Sequence, residues 1–314
     1  MEMIIDRFEK ELIRSDVSIN TIKAYKSDLN KFYDYIKMNL NNNISFEECL
    51  PLIKYRDLED FVFYLEDESY SKSTINRIIM TLKKFFNYSS KYTGDNPSQL
   101  LQGYKKTMPK QKKILTTEEV NKILNQTQTK RYGERFASFN SQRDRFLLSL
   151  LATTGLRIEE SLNIKFKDIE NYENYKMINI NMHNEDSTKL NKRVPVSGVV
   201  LEYYNNYIDE YKKKFDLTNE DYLIVSARSG RKIETKSSNL MIKKYCDELK
   251  IEGVSNHCFR HYANISLISV GTPDSIRNKI LGWSCKGDMG TTIYFHNTEE
   301  IDKLMVKYCS KVLE

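Results

Sequence analysis

The sequence predicts a mainly α protein with one small antiparallel β-sheet, arranged as an all-helical N-terminal part and an α+β C-terminal part. Three observations carry this. Through the first 95 residues, apolar side chains recur every three or four positions, the period of a buried helix face. Between Gly94 and Lys113 that period stops, in a stretch holding Gly94, Pro97, Gly103, Pro109 and a run of lysines. Beyond it, short alternating runs interrupt helical ones. The chain has 314 residues, 40% hydrophobic and 29% charged, enough to build two cores. The expected domains are therefore 1–95, a basic linker 96–113, and 114–314.

In the N-terminal part, residues 4–15 form a short apolar-periodic helix. Ser18 is placed to cap a longer one, 19–37, through Ile22, Tyr25, Leu29, Phe32 and Ile36. A third spans 55–67. A fourth starts near Ser73 and carries Ile75, Ile78, Ile79, Leu82, Phe85 and Phe86, with Arg77, Lys84 and Lys91 spaced by sevens on the opposite side. That spacing predicts one basic face. In the C-terminal part, TTEEV at 116–120 reads as a capped helix start. A buried helix over 143–155 stops at Gly155, and a short one begins near Arg157. Residues 176–181 and 192–197 read as two strands joined by a polar loop, and 222–226 as a third. Helices follow at 237–250 and from Asn256 to before Gly271. Thr272 and Pro273 read as cap and first residue of another, closed by Gly282. A last amphipathic run, 298–312, aligns Ile301, Leu304, Met305, Tyr308 and Val312.

Several classes of function are excluded on simple grounds. The first residues intersperse charges among apolar ones, unlike a signal peptide, and no stretch approaches the ~20 apolar residues that span a bilayer. Five scattered cysteines without a C-x-x-C pair fit a reducing cytoplasm, with no disulfide framework. No zinc-protease, P-loop or dinucleotide motif occurs, and neither a metal nor another cofactor is expected. Charge is unevenly spread. Residues 69–113 hold ten Lys/Arg against Asp95 alone, which suits a polyanion partner or, more blandly, a solvated face and linker.

Six positions could carry chemistry, and each taken singly has an ordinary structural reading. Arg157 follows a glycine helix stop and opens the next helix, where free N–H groups favour an anion; it could equally pair with Glu160 at the surface. His257 and Arg260, three apart, share one helix face. Lys189 lies in the loop between two strands, where lysine is common. Trp283, the only tryptophan, would ordinarily be core. Tyr294 is one of 21 tyrosines.

In chain order, TGLRIEE, STKLNKRVP, HCFRH, LGW and TTIY resemble the successive motifs of the tyrosine recombinase (phage integrase) family. Residues 18–36 and 71–88 resemble its helical core-binding, SAM-like domain, and 96–120 its linker and entry to the catalytic domain. The resemblance implies that Arg157 and Arg260 hold a scissile DNA phosphate, that Glu160 orients Arg157, and that Tyr294 is the nucleophile. It implies that Lys189 is the hairpin lysine, with Lys192 as the alternative; Lys189 is preferred because Lys192 and Arg193 run directly into a strand. His257 is the first residue of H-x-x-R. Trp283 stands where many members have histidine, and the interval from it to Tyr294, through SCKGDMG, is longer than usual.

Such a site is chemically coherent without a metal or ATP. Two permanently protonated guanidiniums offer fixed donor forks to the charge that gathers on the phosphate oxygens. Nearby cations favour the Tyr294 phenolate, Lys189 can protonate the leaving 5′ oxygen, and the phosphotyrosyl ester keeps the energy needed for resealing. The implied partners are double-stranded DNA sites, bound by a homotetramer across two sites that is monomeric or weakly oligomeric when free, with accessory DNA-bending or directionality proteins as further candidates. DNA contacts are expected at Lys72, Arg77, Lys84, Lys91, Lys105 and Lys106. The 298–312 run is a candidate for docking on a neighbouring subunit, and the chain is expected to open directly on the bundle, without an arm-binding domain before it. The rival readings are a type IB-like topoisomerase and an inactive DNA-binding relative.

Overall fold

The computed structural model describes residues 4–39, 45–105, 113–128, 136–180, 192–283 and 299–313. It divides the chain into two compact units, Met1–Lys110 and Gln111–Glu314.

The first unit is helical: α1 (Ile4–Arg14), α2 (Ile19–Asn39), α3 (Phe46–Cys49) with a 3₁₀ turn Leu50–Leu52, α4 (Tyr55–Asp67) and α5 (Lys72–Thr93). Ser18 accepts the Thr21 N–H at 3.2 Å, and Ser71 does the same for Thr74 at the start of α5, so both long helices begin on a hydroxyl cap. Phe8, Phe32, Phe61, Phe85 and Phe86 fill the core, meeting edge to face, as for Phe32 and Phe61 at 5.0 Å between centroids. The packing continues past residue 95. Leu101 is buried in this core, and the Asn76 amide both accepts from the Tyr104 N–H (2.7 Å) and donates to the Tyr104 carbonyl (3.0 Å). The start of the expected linker is thus held on the bundle, because one apolar anchor and one amide that mimics a strand neighbour suffice without any periodic pattern.

The single basic face expected on α5 is broken up. Arg77 reaches a buried acid on α2, Asp28, which also accepts from Thr81 Oγ1 at 2.9 Å. Lys91 lies 3.8 Å from Glu11. Lys84 sits over the Tyr25 ring, Lys72 over Tyr104, and Lys105 is exposed. Lys106 falls outside the described residues. A seven-residue spacing identifies a shared side of the helix, but it says nothing of acids brought by neighbouring helices.

The second unit contains α6 (Thr117–Gln126), α7 (Ala137–Thr154), α8 (Ile158–Leu162), β1 (Ile169–Asn171), β2 (Lys176–Ile180), β3 (Lys192–Val196), α9 (Val199–Lys212), α10 (Thr235–Glu248), α11 (Asn256–Ser269), α12 (Asp274–Leu281) and α13 (Glu299–Ser310). The strands form an antiparallel sheet in the order β1-β2-β3, with Ile178 opposite both Ile169 and Val194. Buried α7 packs against α9 and α11, which explains why Phe146 to Leu151 show almost no polar face.

The sequence reading needs correction at three points here. Residues 222–226 are not a strand: Leu223, Ile224 and Val225 are buried, but only isolated bridges form, Lys165 with Tyr222 and Val225 with Lys232. Their backbone groups are satisfied by loops and side chains instead, Leu223 N–H by Ile164 and its carbonyl by the Tyr207 hydroxyl. Helix α9 was not anticipated, since tyrosines 204, 207 and 211 supply much of its buried face. Thr272 does not cap α12, which starts at Asp274 with Pro273 just outside it. Within the single chain, the 298–312 run, a candidate for docking on a neighbouring subunit, lies as α13 on its own unit. Ile301, Met305, Cys309 and Val312 are buried while Leu304 faces solvent, and Asp302 accepts from Arg193 of β3 at 2.7 Å. Among the described residues, no helix is long and apolar enough to cross a membrane.

Candidate active site

The site forms where α7, α8, α11, α12 and β3 present their ends. Gly155 ends α7 in the left-handed region (φ 60°), which L side chains rarely adopt. A Cβ there would also lie 2.5 Å from Leu281 Cδ2 and 3.6 Å from Arg260 Cγ, so the glycine serves both the turn and the close approach of α11 and α12. Two residues on, Arg157 sits at the N-terminal boundary of α8. Its N–H donates to Glu160 Oε2 (2.8 Å) and its Nη1 to Glu160 Oε1 (2.8 Å), and its side chain stays half exposed. Glu160 therefore holds Arg157 by backbone and guanidinium together.

Arg260, one turn into α11, is held from behind. Its Nη1 donates to the Gly155 carbonyl and its Nη2 to the Leu281 carbonyl, the latter at 2.6 Å. Those carbonyls close α7 and α12, so the guanidinium ties three helices and satisfies backbone acceptors at helix ends. Burial, and next the charge of Arg157, push Arg260 below the usual arginine range, while Glu160 opposes them. The two cations therefore feel one another. His257 is exposed one turn earlier on α11. Trp283 is 42% exposed rather than core, with its ring centroid 5.9 Å from the Arg260 guanidinium, a cation–π arrangement at the rim of the site.

Sequence reasoning underweights Lys192. Its Nζ donates to Glu160 Oε2 at 2.8 Å, and its side chain is only 3% exposed. Burial pushes this ammonium down to about 8, against the pull of Glu160 and with the help of Arg260 and Arg157. Burial also raises the Glu160 carboxyl, but Lys192 and the Arg157 hydrogen bonds outweigh it and hold that group below the usual carboxylate range. The signal that could have found Lys192 is its place at the first position of a strand beside the arginines, the same strand context that favours Lys189 when only the sequence is read. Lys189 and Tyr294 both fall outside the described residues. Among the described residues, no group of three or more His, Cys, Asp or Glu could hold a metal ion.

Residues 113–300 match the model of the phage integrase family, and residues 5–91 match that of the phage integrase N-terminal SAM-like domain. The chain belongs to the phage integrase family. Among curated members of this family, it is 26% identical over 304 residues to the tyrosine recombinase XerD of Staphylococcus saprophyticus, covering 94% of each chain. It is 24% identical over 314 residues to the XerD of Staphylococcus epidermidis, covering 98% of this chain and 99% of that one. Its fold is similar to that of the XerH site-specific recombinase bound to its difH substrate (TM-score 0.63, 18% identity, 90% of this chain and 76% of that one). It also resembles the Tn1549 transposon integrase bound to a circular intermediate DNA (0.65, 16%, 98% and 99%). A lambda integrase dimer bound to a core site scores 0.61 at 16% identity, covering 94% and 97%. The phage integrase fold thus spans both units, a mainly helical chain with one small antiparallel sheet.

Proposed function

We propose that this chain is a site-specific DNA recombinase that cuts and rejoins strands through a covalent bond to Tyr294. The observation that carries this reading is the convergence of Arg157 and Arg260 at neighbouring helix ends, one steadied by Glu160 and the other by two backbone carbonyls. Two always-charged donor forks, held with little freedom left to lose, suit a phosphodiester whose charge grows on its non-bridging oxygens. The DNA complexes of XerH, the Tn1549 integrase and lambda integrase support taking duplex DNA as the ligand here as well.

In this reading the Tyr294 oxygen attacks phosphorus and the bond to the 5′ oxygen breaks. Lys189 gives that oxygen its proton, leaving a 3′-phosphotyrosyl strand and a free 5′-hydroxyl. A second 5′-hydroxyl then attacks the ester, gives its proton back to Lys189 and releases Tyr294 as the phenolate. His257 assists by holding the phosphate, and Trp283 offers an indole N–H or excludes water. Exchange between two sites takes four protomers. A duplex nicked beside the cleavage point, which loses its short fragment on cutting, should trap a covalent adduct with the native chain and none with Tyr294→Phe. An adduct that persists in that variant would place the nucleophile elsewhere.

A further inference from the structure

We propose that Lys192 is a positioning residue of the recombination site: its buried ammonium fixes Glu160, and through it Arg157, while the leaving oxygen receives its proton from another group. This rests on the recombinase reading above. Exposure falls inward along the chain of contacts, from Arg157 at 50% through Glu160 at 11% to Lys192 at 3%. A phosphate arriving from solvent meets the guanidinium first, and the ammonium stands behind the carboxylate.

Lys192 occupies Glu160 Oε2, which already accepts the Arg157 backbone N–H, so Glu160 takes the Arg157 guanidinium on Oε1 alone. Guanidinium and carboxylate otherwise favour a two-pronged pairing. Such a pairing would commit a second arginine nitrogen to Glu160 and turn the fork away from the phosphate. Lys192 thus keeps the rest of the fork open, since among the described residues the other guanidinium nitrogens of Arg157 have no hydrogen-bond partner.

The stem of Lys192 is placed with equal care. A Cβ at position 282 would lie 2.9 Å from Lys192 Cδ and 3.3 Å from Cε. Gly282, which ends α12 with φ 67°, therefore also leaves the room that the lysine occupies. Strand β3 supplies the side chain, and the end of α12 supplies the channel for it.

The test uses a scissile site whose bridging 5′ oxygen is replaced by sulfur. Breaking a phosphorus–sulfur bond releases a thiolate, which needs no proton, so a variant lacking the proton donor regains its rate on this substrate. Lys192→Met should cleave both the oxygen and the sulfur substrates about 10- to 100-fold slower than the native chain, the scale of a small misplacement. Lys189→Met should be rescued by sulfur. Adding Glu160→Gln to Lys192→Met should slow cleavage little beyond Glu160→Gln alone, because both disturb one interaction. Duplex binding is measured alongside, and Lys192→Gln, which keeps a donor for Glu160, replaces the Met variant if binding is lost. Sulfur rescue of either Lys192 variant, native cleavage by it, or independent effects in the double variant would overturn the proposal. A native chain that forms no adduct on either substrate would instead refute the recombinase reading.

Discussion

At the scale of single residues, the site is a set of cations each restrained by a different device. The depressed Lys192 ammonium makes this measurable through stability. Between its folded value of about 8 and its ordinary value of 10.5, the unfolded chain binds this proton more often than the folded one. Stability contributed by this group therefore rises with pH across that window. Buried Cys246 and Cys309, whose thiols are pushed up, work the other way in alkali, so the comparison must be between two proteins. Denaturant titrations from pH 8 to 10.5 should show the native chain gaining stability relative to Lys192→Met; parallel curves would mean the ammonium is not depressed. That Arg157, Glu160 and Arg260 lie together was legible because motif order overrides weak single-residue odds. Lys192 was not, since a sequence shows that a lysine starts a strand but not which carboxylate lies across from it.

Arg77 shows the same limit on a helix surface. Its spacing with Lys84 and Lys91 is real, yet the partner that decides its role, Asp28, sits 49 positions earlier on another helix. Removing the cation leaves a buried carboxylate with the Thr81 hydroxyl as its remaining side-chain donor among the described residues. Because the Arg77 side chain is 47% exposed, water can partly replace it. Arg77→Ala should cost about 1–3 kcal/mol of stability, read as a lower denaturation midpoint. A midpoint unchanged within error would restore Arg77 to the free basic face.

At the scale of elements, helix stops organise the site more than helix bodies do. Gly155→Ala should destabilise the protein by at least about 1 kcal/mol from the left-handed backbone alone. The Leu281 collision adds to that cost and displaces the carbonyl that Arg260 grips. Cleavage should therefore fall more than duplex binding does; equal losses would mean that Arg260 does not depend on this turn. Period and punctuation made most helices readable, along with the two strands of the hairpin. Residues 222–226 misled because a short apolar run marks burial, not a ladder, and here loops satisfy the backbone. The docking direction of α13 was equally unreadable: an amphipathic stripe declares that it must be covered without saying by what.

At the scale of the whole molecule, charge is the property that a duplex would sense first. The excess in residues 69–113 belongs to the N-terminal unit and the stretch after it, but Arg77 and Lys91 have acidic neighbours within that unit. Lys72, Lys84 and Lys105 have no carboxylate within ion-pair distance among the described residues. Replacing these three together by glutamine should flatten the dependence of duplex affinity on salt, by nearly one unit of log–log slope for each phosphate that is no longer neutralised. An unchanged slope would mean that this part of the surface does not meet the DNA backbone.

The half-exposed indole beside Arg260 has a practical use. As the sole tryptophan in the chain, it gives an unlabelled optical signal from one known place when excited at the red edge, where the tyrosines scarcely absorb. Its emission colour and quenching by iodide should change as an oligonucleotide settles over the neighbouring guanidinium, so a stopped-flow trace would time substrate arrival separately from bond breakage.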